Sequence, residues 1–138
     1  MNKKISSACL LVISLFLVGC DDLYECIVDI NPEINENTIR TATINEPYFQ
    51  RITAEINNEV ADDFYEYFFD VVGELPDGIE IEYHYRRIEL SGVPTEPGNF
   101  RFLVTLTIGA YDDGEEFDPN PTCDAEIERA FILTVAEE

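Results

Sequence analysis

Gly98-Asn99-Phe100-Arg101-Phe102-Leu103-Val104-Thr105-Leu106-Thr107-Ile108 is the stretch whose reading decides the fold. Phe100, Phe102, Val104, Leu106 and Ile108 recur at every second position, with Arg101, Thr105 and Thr107 between them. Successive side chains of a strand point to opposite faces, so a period of two buries one face and wets the other. The same period extends outward in both directions. Ile52, Ala54 and Ile56 share a face, as do Tyr65, Tyr67, Phe69 and Val71. Ile79 to Arg86 alternates strictly, and Phe131, Leu133 and Val135 form a last row. Between Val60 and Phe68 the apolar content does not settle the period, and we read that segment as strand.

Turn formers separate these runs: Asn45-Glu46-Pro47, Asn57-Asn58, Leu75-Pro76-Asp77-Gly78, Gly92-Val93-Pro94, Pro97-Gly98-Asn99 and Asp112-Asp113-Gly114. Glycine supplies positive φ and proline a fixed φ, which is why such residues end strands. About seven short antiparallel strands at this spacing predict an all-β sandwich of the immunoglobulin-like kind.

The punctuation also carries a resemblance. Ile44-Asn45-Glu46-Pro47-Tyr48, Leu75-Pro76-Asp77-Gly78-Ile79, Leu90-Ser91-Gly92-Val93-Pro94, Pro97 to Val104 and Ala130 to Val135 follow in that order. This resembles the immunoglobulin-like domains of bacterial surface proteins, related to dystroglycan-type cadherin-like domains, over about Asn37 to Ala136. The resemblance implies a fold and no catalytic residues, because the family's marks are turn and core positions. The chain departs from the family by carrying Tyr83-His84-Tyr85-Arg86-Arg87 where a glycine turn is usual, and by having a single copy.

At the other end, Met1-Asn2-Lys3-Lys4 is basic, Ile5 to Val18 is largely apolar, and Leu17-Val18-Gly19-Cys20 closes the segment. This is the plan of a secretory signal, and it is shorter than the ~20 apolar residues that span a bilayer. Leu-Val-Gly-Cys resembles the lipobox of bacterial lipoproteins. The resemblance implies cleavage after Gly19, a diacylglycerol thioether on Cys20 and, commonly, acylation of the freed amine. Several acyl chains together hold a protein on a membrane far better than one. The expected organisation is signal peptide 1–19, lipidated N-terminus and tether 20–36, and domain 37–138. Asp21-Asp22 after the lipidated cysteine resembles an inner-membrane retention signal, which favours the periplasmic face of the inner membrane over the outer membrane.

The only lysines leave with the signal, taking the formal charge from −21 to −23. Six arginines then face all 29 acids, and such a chain repels phosphate backbones and excludes nucleic acid as a partner. The apolar content of 46 % is too high for disorder. Once Cys9 is removed and Cys20 acylated, Cys26 and Cys123 remain. One intrachain disulfide is open to them in an oxidising compartment, against free thiols or intermolecular pairing.

Two clusters are candidate sites. Tyr83-His84-Tyr85-Arg86-Arg87 gathers two aromatics, the single histidine and two of the six arginines. It either forms a ligand patch for sugars, carboxylates or an acidic partner, or is a hairpin whose tyrosines pack and whose arginines neutralise nearby acids. Asp112, Asp113, Glu115, Glu116 and Asp118 crowd one loop, which either holds Ca²⁺ or is merely solvated. No Cys/His spacing typical of metal sites is present. His84 has no nucleophile at a recognisable spacing, and Ser91 is the one serine left after processing, so the chain is not expected to be an enzyme. The expected function is a membrane-anchored, non-catalytic envelope module that binds an envelope protein or serves structurally. The alternative is a Ca²⁺- or glycan-binding adhesion module.

Overall fold

The computed structural model describes residues 26–137. The signal peptide, the lipidation site Cys20 and Asp21-Asp22 lie outside the described residues. Nine strands follow in order: β1 Pro32–Ile34, β2 Ala42–Thr43, β3 Tyr48–Ile56, β4 Tyr65–Gly73, β5 Ile79–His84, β6 Arg87–Gly92, β7 Gly98–Asp112, β8 Phe117–Asp118 and β9 Glu126–Ala136. Seven of these exceed two residues, and the extra pair are the two-residue β2 and β8.

One sheet has the order β1-β3-β6-β5; the other has β2-β9-β7-β4, with β8 added to β7. All pairings are antiparallel except β2 with β9. Lettered as in antibody domains, the sheets are ABED and A′GFC, with the first strand divided between them. The fold is an immunoglobulin-like β-sandwich.

The alternation read from the sequence is the core. Phe102, Val104, Leu106 and Ile108 of β7 turn inward, beside Phe131, Leu133 and Val135 of β9. They face Ile52, Ala54 and Ile56 of β3 and Ile88 and Leu90 of β6, all buried. Each of these valine, leucine, isoleucine and phenylalanine side chains contributes roughly 1.5–3 kcal/mol by leaving water. Phe102 stacks on Phe131 with ring centroids 5.7 Å apart.

The Leu-Pro-Asp-Gly-Ile and Ser-Gly-Val-Pro segments meet in space. Gly92 pairs with Ile79, and the Val93 N–H donates to the Gly78 carbonyl at 3.0 Å. Gly78 has φ +92° and Gly92 φ +141°, and a Cβ on Gly92 would lie 1.9 Å from the Gly78 oxygen. Only glycine fits here, on both backbone and steric grounds.

Two expectations change. The folded domain starts before residue 37: β1 pairs with β3 from Pro32↔Ile56, and Ile30 and Ile34 sit in the core, so 30–36 is no tether. Strand does not begin at Val60 either. A 3-10 turn spans Asp62–Phe64, and the strand starts at Tyr65, because the chain must cross from one sheet to the other there.

Cys26 and Cys123 form a disulfide with Cα atoms 4.8 Å apart, tying the segment before β1 to the loop before β9. It differs from the bridge of antibody domains, which joins the strands equivalent to β3 and β7. Around it the Cys123 N–H donates to the Ile30 carbonyl and the Asp124 N–H to Asn31 Oδ1, each at 3.1 Å.

Candidate binding surfaces

The Tyr83–Arg87 segment is the turn of the β5–β6 hairpin, with His84 opposite Arg87. Its residues part company. The Tyr85 hydroxyl donates to the Asp63 carbonyl at 2.8 Å and also reaches the Tyr65 carbonyl. Arg86 pairs with Asp63 at 2.9 Å and with Asp62, and its guanidinium lies 5.3 Å from the Tyr67 ring centroid. Tyr85 and Tyr67 meet edge to face at 5.4 Å. Burial pushes the Tyr67 hydroxyl well above the usual tyrosine range. Tyr85 and Arg86 thus clasp the 3-10 turn to the hairpin across the two sheets. Tyr83 and Tyr85 both still meet solvent, Tyr83 being 55 % and Tyr85 51 % exposed.

His84 and Arg87 face the outer side of the β1-β3-β6-β5 sheet with Glu82 and Glu89. Alternation sets 82 and 84 on one face of β5, and the register puts Glu82 directly opposite Glu89 and Glu89 opposite Arg51 of β3. Two carboxylates opposed across a ladder repel. Arg51 Nε at 3.0 Å and Arg87 Nε at 2.8 Å both donate to Glu89 Oε1, and these hydrogen bonds and charges hold its carboxyl below the usual range. Glu89 Oε2 faces His84 Nε2 at 3.5 Å, and Glu82 Oε2 lies 3.8 Å from the same nitrogen. Neither is a hydrogen bond at that distance, and His84 Nε2 is shielded from solvent without a partner. The ligand atoms of Glu82, His84 and Glu89 all lie within 4.8 Å of one another.

The acidic loop is arranged differently. Asp112 Oδ1 accepts from the Gly114 N–H at 2.9 Å, and Asp113 Oδ1 from the Glu115 and Glu116 N–H groups at 2.9 and 2.8 Å. Asp118 Oδ1 accepts from the Asn120 N–H at 2.9 Å. Asp112 and Asp113 thus cap the β7–β8 turn and Asp118 the bend after β8, and the backbone bonds hold the Asp113 carboxyl below the usual range. Among the described residues, the one group of metal-ligating side chains that converges is Glu82, His84 and Glu89, not this loop.

A third surface went unnoticed in the sequence. On the outer face of the other sheet, Val72 of β4 pairs with Leu103 of β7, which pairs with Ala130 of β9. Ile132 lies one step further along β9, and Phe68 stands apart on the same face of β4, beyond Asp70 and opposite Thr107. Phe68, Val72 and Ile132 are 55, 64 and 48 % exposed. Asp70, Arg101, Glu126 and Glu128 stand around them on the same face. The alternation contains this row, but the inner positions are the more apolar set, so period two alone marks the outer ones as solvent-facing.

Near the disulfide is an open cavity of about 320 Å³ lined by Cys26, Ile108, Ala125 and Pro119 to Cys123. Beside it Glu59, Tyr65, Tyr111, Glu116 and Asp118 line another of about 230 Å³.

No protein-family model and no curated protein matches the sequence. Among solved structures, an endo-fucoidan hydrolase of glycoside hydrolase family 107 (MfFcnA9) is similar over 78 % of this chain, at 18 % identity and TM-score 0.49. The chain spans 17 % of that enzyme's length. The M3 domain of titin is similar over 77 % of this chain and 97 % of its own, at 13 % identity and TM-score 0.45. A PapD-like domain of human CEP192 is similar over 79 % of this chain and 87 % of its own, at 10 % identity and TM-score 0.46.

Proposed function

We propose that this chain is a lipid-anchored envelope lipoprotein whose immunoglobulin-like domain binds another envelope protein and performs no catalysis. The observation that carries the binding role is the apolar row Val72-Leu103-Ala130 with Ile132, on the outer face of β4, β7 and β9. An apolar centre rimmed by charge is the anatomy of a protein interface, and exposed apolar patches of this kind mark interaction sites. The lipobox-like Leu17-Val18-Gly19-Cys20 supports the anchor, and a disulfide between Cys26 and Cys123 suits an exported protein. Asp21-Asp22 supports the periplasmic face of the inner membrane as the address. Kinship with the immunoglobulin-like domains of bacterial surface proteins rests on the five sequence segments quoted above.

Two measurements test this reading. Metabolic labelling with a palmitate analogue should mark the wild-type chain, and Cys20→Ser should abolish the label; equal labelling of both sinks the anchor. A photo-crosslinking residue at Val72 or Ile132 should give one discrete adduct in intact cells, and one at Glu80 on the other sheet should not. Adducts from all three positions alike, or from none, would remove the proposed face.

A further inference from the structure

We propose that Glu82, His84 and Glu89 form a binding site for a divalent transition-metal ion of the zinc class. The donor atoms are His84 Nε2, Glu82 Oε2 and Glu89 Oε2. A zinc ion bonds nitrogen and oxygen donors at about 2.0–2.2 Å in a tetrahedron, which sets the donors about 3.3–3.5 Å apart. His84 Nε2 already stands 3.5 Å from Glu89 Oε2 and 3.8 Å from Glu82 Oε2. The side chain that has furthest to move is Glu82, which is 68 % exposed and free to turn, whereas Glu89 is 13 % exposed and held.

His84 Nε2 is the independent pointer. It is screened from solvent and lacks a hydrogen-bond partner, yet aims between two carboxylate oxygens at a spacing too long for hydrogen bonds and suited to a shared ion. Glu89 is oriented as metal-ligating carboxylates commonly are, with hydrogen bonds to its other oxygen, here from Arg51 and Arg87. Those two cations oppose a bound dication, so the affinity expected is micromolar rather than nanomolar. A donor set containing imidazole selects zinc, copper or nickel over calcium. Three protein ligands leave a fourth position for water or for a group on a partner.

The test uses the full chain, stripped with chelator and then titrated with ZnCl₂ by calorimetry in the presence of millimolar CaCl₂. One equivalent should bind, with micromolar affinity, and Co²⁺ in its place should give the visible absorption of a tetrahedral ion. His84→Ala and Glu82→Gln should each weaken binding at least tenfold, with unchanged circular dichroism. Paired Glu115→Gln and Glu116→Gln substitutions in the acidic loop should leave it unchanged. Absence of a one-equivalent event overturns the proposal. So does binding that survives His84→Ala or that calcium displaces, since both describe diffuse attraction to an acidic surface.

Discussion

Replacing both Cys26 and Cys123 by alanine should cost the domain several kcal/mol, nearly all of it through the unfolded chain. The bridge closes a loop of sequence separation 97. The chain-entropy relation gives about 4.7 kcal/mol at 25 °C for a loop of this length. The native state loses little, because hydrogen bonds hold the same junction: Cys123 N–H to the Ile30 carbonyl, Asp124 N–H to Asn31, and the Asn58 amide to the Val28 carbonyl at 3.0 Å. Some compaction persists in any denatured ensemble, so the observed loss should fall at about 3–5 kcal/mol. For a domain of this size each kcal/mol moves Tm by about 4 °C, giving a fall of about 12–20 °C. Urea titration can follow tyrosine fluorescence, the chain having seven tyrosines and no tryptophan. The m-value should rise along with the loss of stability, since an unlinked chain exposes more surface. A loss below about 1 kcal/mol with an unchanged m-value would refute the reasoning, showing that the bridge constrains an already structured denatured state.

Gly92→Ala should destabilise by roughly 3 kcal/mol, because φ +141° is strained for alanine and the added Cβ meets the Gly78 carbonyl; chemical denaturation measures it. Arg86→Met keeps the aliphatic stem but removes the pairs with Asp62 and Asp63, and should cost about 2 kcal/mol. Hydrogen exchange should then show protection lost first in the Asp62–Phe64 turn. The tyrosines set an alkaline limit. Burial pushes Tyr48 up to about 12, against the charge of Arg40, and raises Tyr65 and Tyr67 further. These folded-state values lie above the unfolded one near 10, so the stability they confer is intact below about pH 10 and is lost as pH rises from there through about 12. The part of the tyrosinate absorbance that Tyr48→Phe, Tyr65→Phe and Tyr67→Phe each remove should therefore rise together with the loss of near-ultraviolet circular dichroism above pH 10, not ahead of it.

Much of the sandwich is legible because each long strand carries its own signal. Phe102, Val104, Leu106 and Ile108 show their common face without reference to any other strand. What depends on a distant partner is not legible in the same way. Pro32–Ile34 is three residues long and becomes a strand only by pairing with β3 some twenty residues later. The 3-10 turn at Asp62–Phe64 is held by Tyr85 and Arg86 from another sheet. Glu82, His84 and Glu89 are separate in sequence, and only the strand register brings them together. A turn centred on Tyr85-Arg86 sets His84 opposite Arg87 and hence Glu82 opposite Glu89. Sequence alone groups five consecutive residues, whereas the hairpin ties Tyr85 and Arg86 to the Asp62–Phe64 turn and brings the two glutamates to His84. In the acidic loop the sequence shows carboxylates but not the backbone amides that engage them.

The position of the Cys26–Cys123 bridge also decides how the domain bears tension. A pull on the chain upstream of Cys26 would otherwise be applied to β1, whose three paired residues could be peeled away one after another. The covalent link diverts that load past β1 and β2 to Cys123, three residues before β9. From there it reaches β9, which is laddered to β7 through ten consecutive pairs. A tug at the N-terminal end is thus met by the longest ladder of the sandwich, and the three-residue β1 is spared it.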